Sequence, residues 1–167
     1  MKGEICITNK VFTSMLDYFK GDAKRIQHFT KVYTYASMIG KMEKLSNKEQ
    51  NILEIAALMH DIGIRPAEEK YGSCSGKLQE QEGPAEAEKI LTALHVDEAV
   101  KKRVLFLIAH HHTYSNIIGK DYQILVEADF LVNLYEDTAG EETVKSAYNR
   151  IFRTVAGRYI CSRMFAL

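Results

Sequence analysis

IAALMHDIGI, residues 55–64, sets a histidine and an aspartate side by side inside an otherwise apolar run. Burying a carboxylate without a partner costs several kcal/mol, roughly, so a helix that carries one inward must pair it or give it a metal. Asp61 therefore needs a cation, and His60 stands beside it. Immediately upstream, Ser46 followed by Glu49 forms a capping box, which starts a helix that runs to about His60. Ile52, Leu53, Ile55, Ala56, Ala57, Leu58 and Met59 leave Glu54 as its one clear solvent marker, so this helix is central. Gly63 then permits a turn that a side chain would hinder.

Three other places put polar groups into similar settings. Between about Ala23 and Met42, Ile26, Phe29, Val32, Tyr33, Ala36 and Ile39 recur at helical spacing, and His28 lies on or next to that face, with Asp22 as a cap. Asp97 caps a helix in which Val100, Val104, Ile108 and His111 follow in steps of four, four and three, with Leu107 and His110 on the neighbouring row. The run His110-His111-His112 thus extends an apolar stripe. Tyr122 to Tyr135 reads as a helix, with Tyr135 inward and with Asp129 four residues after Leu125 and three before Val132.

The remaining segments also read as helix or loop. Val11 to Phe19 is a short opening helix. Arg65 to Gln81 is broken by Pro66, Gly72, Ser73, Ser75 and Gly76 and reads as a loop over the site, with Arg65, Lys70 and Lys77 as candidates to meet an anionic ligand. Gly83-Pro84 opens the next helix, and Glu82 sits just before that start. Thr138 and Glu141 repeat the capping-box pattern before a long last helix whose inward row includes Val144, Tyr148, Phe152, Tyr159 and Ile160. No segment alternates like a strand.

At 167 residues the chain fits one domain, 1–167, with enough length for a continuous core. Equal numbers of basic and acidic residues, 22 each, give no net field for a nucleic-acid polymer or an anionic membrane, whereas a small phosphorylated ligand can still be drawn by local charge or metal. Cys6, Cys74 and Cys161 have no CxxC spacing and read as free thiols in a reducing compartment. The opening MKGEICITNK has no signal-peptide run, and no stretch approaches the roughly 20 apolar residues of a membrane span, so the expected location is the cytoplasm. Oligomeric state is open: Met164, Phe165 and Leu167 could cover the core or a partner.

Imidazole and carboxylate together suit one or two divalent transition metals, among them iron, manganese, zinc and nickel. Such a metal lowers the pKa of a bound water and offsets charge on phosphoryl oxygens, which is what hydrolysis of a phosphate ester needs. Each residue alone has a plainer reading: His28 as a hydrogen-bonded core histidine, Asp61 as a cap, Asp129 bonded to a core Tyr or Arg, the histidine run as an exposed helix end. Four such anomalies on four helices favour a shared metal, because bundles build metal sites from inward side chains of facing helices.

His28, the doublet His60-Asp61 within HDIGI, the pair His110-His111 and Asp129 within VEADFLVN, in that order, resemble the HD-domain superfamily of metal-dependent phosphohydrolases over about residues 22–136. The resemblance implies an all-α fold, the HD-domain helical bundle. It also implies that His28, His60, Asp61 and Asp129 hold one metal, and that Glu82, His110 and His111 join Asp61 at a second. Glu82 stands where two-metal members have histidine. His111-His112 is the alternative pair if the helix is shifted. Ile64 stands where many members have a phosphate-holding lysine, and Arg65 is the nearest substitute. The implied activity is hydrolysis of a phosphate ester of a small anionic substrate, a nucleotide among the candidates, by metal-bound hydroxide. Two rivals remain: a di-iron oxygenase on the same scaffold, and a metal- or nucleotide-binding HD module without catalysis.

Overall fold

The computed structural model describes residues 6–167; residues 1–5, part of the amino-terminal stretch read above, lie outside it. The order is α1 (Ile7–Tyr18), α2 (Ala23–Met42), α3 (Asn47–Met59), a 3-10 turn (His60–Gly63), α4 (Ile64–Tyr71), α5 (Gly76–Ala93), α6 (Glu98–Ile108), α7 (Lys120–Glu136), α8 (Glu141–Arg150) and α9 (Val155–Met164). No strand occurs among the described residues.

The apolar helix α3 is the axis, packed against α1, α2, α6 and α7. Ile52, Leu53, Ile55 and Leu58 are buried there, and each stabilises the fold by roughly 1.5–3 kcal/mol relative to exposure. Its start is the capping box: Ser46 Oγ accepts from Glu49 N at 3.3 Å, and Glu49 Oε2 accepts from Ser46 N at 3.0 Å. Asp22 caps α2 by accepting from Arg25 N at 3.0 Å, and Asp97 caps α6 by accepting from Ala99 N and Val100 N.

Several expectations give way. The stretch from Arg65 to Gln81 is not a loop but α4, a short break and the first turns of α5, so Gly83-Pro84 lies inside a helix rather than at its start. The glycines at this crossing are chosen for contact. A Cβ on Gly63 would sit 2.3 Å from the Gln79 carbonyl oxygen, and one on Gly83 would sit 2.7 Å from Ile108 Cγ2. Gly63 has φ −70°, so it serves the close passage of α5 and not an unusual turn.

The long last helix is two helices, and the cause is a carboxylate on α7. Glu127 is fully buried and accepts from Arg153 N at 2.6 Å, Thr154 N at 2.9 Å and Thr154 Oγ1 at 2.5 Å. Those backbone donors are thereby unavailable to a continuing helix, and Thr154 caps α9 by accepting from Gly157 N. Tyr135 and Tyr159, expected inward, are 64% and 55% exposed. The three cysteines are free.

Candidate metal centre

Four elements deliver polar side chains to one point. His28 comes from the second turn of α2, His60 and Asp61 from the 3-10 turn that ends α3, His111 and His112 from the turn after α6, and Asp129 from the middle of α7. His28 Nε2 lies 3.3 Å from His60 Nε2 and 3.2 Å from Asp129 Oδ1. Asp61 Oδ2 is 3.3 Å from His28 Nε2 and 3.5 Å from His60 Nε2. Among the described residues, His28-His60-Asp61 and Asp61-His111-His112 are the two groups whose ligand atoms converge closely enough for an ion.

The far side of each ring explains why the near side is a receptor. His28 Nδ1 donates to Glu136 Oε2 at 2.9 Å, His60 Nδ1 to the Ala57 carbonyl at 2.9 Å, and His111 Nδ1 to the Ile108 carbonyl at 2.8 Å. Each bond spends the ring's one neutral-state proton, so three Nε2 lone pairs point inward. Two such lone pairs at 3.3 Å, with two carboxylates beside them, repel unless a cation lies between. Spacings of 3.2–3.5 Å are those of neighbouring ligands around one ion at bond lengths of about 2.1 Å.

Without an ion, protons take that place. Burial disfavours the charged form of His60, yet the Asp61 and Asp129 carboxylates outweigh it and raise its pKa to about 9. His28 rises for the same balance, with Asp129 as its main support. Asp129 and Asp61 fall well below the usual carboxylate range because the imidazoles overcome the cost of burial.

Asp61 faces both ways. Its Oδ1 lies 3.5 Å from His111 Nε2, on the side away from His28. His111 is fully buried, and its Nε2 has no hydrogen-bond partner. An orphaned buried nitrogen of this kind costs about 1–3 kcal/mol, and a bound cation would satisfy it. The donor set therefore fits a divalent transition metal. His112 completes this group; its Nε2 lies 3.2 Å from Gln79 Oε1 and its Nδ1 3.2 Å from the Tyr114 hydroxyl. Burial, with help from His111, lowers its pKa to about 4, so it is neutral.

Three residues expected at the site are turned elsewhere. His110 stacks on Phe106 with ring centroids 4.2 Å apart and bonds the Phe106 carbonyl. The shift arises because α6 ends at Ile108, so the histidines follow turn geometry rather than the helical stripe, and Tyr122 pins that turn by bonding the carbonyls of His110 and Thr113. Glu82 is engaged by Lys70, Tyr71 and Gln81. With α5 starting at Gly76, the residue it sends to the cleft is Gln79, one turn earlier. Arg65 is exposed, bonds Glu69 and the Tyr18 carbonyl, and lies over the Tyr18 ring.

The cluster floors a cleft of about 360 Å³ whose walls include Lys24, Ile64, Cys74, Gln79, Asn133 and Asp137. Sequence reasoning missed Glu136, which bonds His28, and Asn133, whose Nδ2 donates to Asp129 Oδ1 at 2.9 Å. Spacing held a signal for both: they follow Asp129 by seven and four residues, on its own face of α7.

No curated protein matches the chain. Among solved structures, the fold is similar to the crystal structure of a predicted HD superfamily hydrolase from an uncultured Thermotogales bacterium, with a TM-score of 0.68 and 25% identity over 95% of this chain and 84% of that one. The HD domain model matches residues 25–148, a span that takes in His28, His60-Asp61, the histidine run and Asp129. By fold, by the ordered residues and by that match, the chain belongs to the HD-domain family.

Proposed function

We propose that the protein is a metal-dependent phosphohydrolase that cleaves a phosphate ester of a small anionic substrate. The observation that carries this reading is the convergence of three inward Nε2 lone pairs with two carboxylates at the floor of an open cleft, one of the nitrogens being buried without a partner. His28, His60, Asp61 and Asp129 would hold one ion, and Asp61 with His111 and His112 would hold another. When bound, a divalent transition metal supplies Lewis acidity to phosphoryl oxygens and a water acidified toward neutral pH.

The chain's own residues fix the rest. Glu136, the Ala57 carbonyl and the Ile108 carbonyl lock the ring tautomers and orientations, and Asn133 holds Asp129. Ile64 gives the cleft an apolar wall next to Asp61. No serine or cysteine nucleophile is required.

The test is release of inorganic phosphate from a panel of sugar, nucleotide and aryl phosphates by protein whose iron, manganese, zinc or nickel content has been measured, beside His60→Ala. Hydrolysis that disappears in the variant supports the reading. A metal-replete protein that hydrolyses no ester overturns it, and oxygen consumption in its place would favour redox chemistry on the same scaffold.

A further inference from the structure

The charged side chains at the mouth of the cleft differ in how far they are committed. Arg25 is held by Asp22 at 2.8 Å and by Glu68 at 2.6 Å. Glu136 is held by Lys31 at 2.6 Å and by His28. Lys70 is tied to Glu82 and Arg65 to Glu69, outside the cleft lining. Lys24 and Asp137 line the cleft, and neither makes an ion pair among the described residues.

Their placement follows from helix geometry. Lys120 lies beside Glu43 at one end of the α2–α7 pair and His28 beside Glu136 at the other, so the two helices run antiparallel. Lys24 precedes His28 by one turn, about 6 Å along α2, and Asp137 follows Asp129 by eight residues, about 12 Å along α7. Both positions therefore lie at the same end of the cleft, outward of the cluster and on facing helices. One uncommitted cation and one uncommitted carboxylate flank the entrance.

We propose that this mouth selects phosphomonoesters whose alcohol portion carries hydroxyl or amino donors, with Lys24 gripping the phosphate and Asp137 accepting from the donor. This rests on the phosphohydrolase reading and narrows its substrate class. Lys24 lines the same cleft as Asp61 and Asp129, so its side chain would supply to a phosphate there the ammonium that Ile64 and Arg65 do not. The leaving alcohol then extends toward Asp137. A second phosphate at that point would meet a carboxylate, so diphosphates and triphosphates are disfavoured by like charge.

The test compares each variant with the parent on three compounds, with metal content as the control for an intact site. Ribose 5-phosphate carries donors, phenyl phosphate carries none, and pyrophosphate puts charge at the mouth. Lys24→Ala should lower kcat/KM about tenfold or more on both esters, with partial recovery in Lys24→Arg, as loss of a charge-assisted contact requires. Asp137→Asn should lower it about tenfold on ribose 5-phosphate, leave phenyl phosphate within about twofold and raise pyrophosphate cleavage. Unchanged kinetics in Lys24→Ala, or equal losses on both esters in Asp137→Asn, would overturn the proposal. If the parent hydrolyses nothing, the phosphohydrolase reading fails by itself, and calorimetric binding to the metal-loaded protein decides the subsite. Inorganic phosphate bound about tenfold more weakly by Lys24→Ala, with ribose 5-phosphate weakened selectively by Asp137→Asn, would uphold it; equal affinities would end it.

Discussion

Gly63→Ala is the sharpest probe of how the fold aims the His60-Asp61 doublet. The new Cβ would lie 2.3 Å from the Gln79 carbonyl oxygen and 2.8 Å from the Gly83 nitrogen, where an ordinary contact is at least 3.4 Å. Both obstacles are backbone atoms, so no side chain can swing aside, and the 3-10 turn must separate from α5 by about 1 Å. Overpacking costs 1–3 kcal/mol, roughly, and the upper end applies where rigid backbone meets rigid backbone. About 3 kcal/mol in a chain of this length lowers Tm by about 6–12 °C. The same shift carries Asp61 away from His111 and loosens the cluster. Gly72→Ala is the control: nothing lies within 4 Å of its Cβ, so only the left-handed backbone at φ +64° is penalised, by about 1–2 kcal/mol. Thermal unfolding of the two variants beside the parent, with metal titration on each, decides the matter. A Gly63→Ala protein no less stable than Gly72→Ala would refute the close-passage argument.

Glu136→Gln should weaken metal binding about 10- to 100-fold with little change in fold, since the carboxylate that orients His28 becomes an amide; calorimetry with manganese reads this, and unchanged affinity would mean that Glu136 serves only Lys31. His112→Ala should lower metal content while His110→Ala leaves it intact, which elemental analysis distinguishes; loss in His110→Ala with retention in His112→Ala would restore the His110-His111 pairing read from the helical stripe. The metal-free protein should lose stability in alkali. The pKa of His60 is about 9 in the fold against about 6.5 unfolded, so its contribution is full below about 6.5 and is lost as pH rises through about 9. Tm measured from pH 6 to 9.5 after chelation should therefore fall, and a flat profile would count against the proton-filled cluster.

What the sequence made legible was whatever local chemistry decides. The capping box at Ser46-Glu49 and the caps at Asp22 and Asp97 are short-range bonds, and they begin helices as expected. The Thr138-Glu141 pattern, by contrast, forms no cap: α8 starts after Gly140 without a side-chain cap bond, and the Thr138 hydroxyl donates to the Asp137 carbonyl. The apolar run of α3 could only be central. His28, the His60-Asp61 doublet and Asp129 stood out because polar groups on apolar faces are costly, and the fold brings them together. What escaped the sequence depended on distant partners. The break between α8 and α9 is imposed by Glu127, which lies 26 residues before Arg153. Gly83-Pro84 looked like a helix start, whereas Gly83 is there to let Ile108 approach. Glu82 read as a substitute ligand, and in the fold Lys70 and Tyr71 bond it; the histidine run sets its alternative pair, His111-His112, beside Asp61 because periodicity stops where α6 stops.

The central claim is that His60 belongs to a metal cluster from which Glu82 is excluded. Elemental analysis of the purified parent, His60→Ala and Glu82→Ala, each after incubation with manganese and nickel, tests it most directly. The account predicts bound transition metal in the parent and in Glu82→Ala, with loss in His60→Ala. No metal in the parent, or loss in Glu82→Ala with retention in His60→Ala, would contradict it.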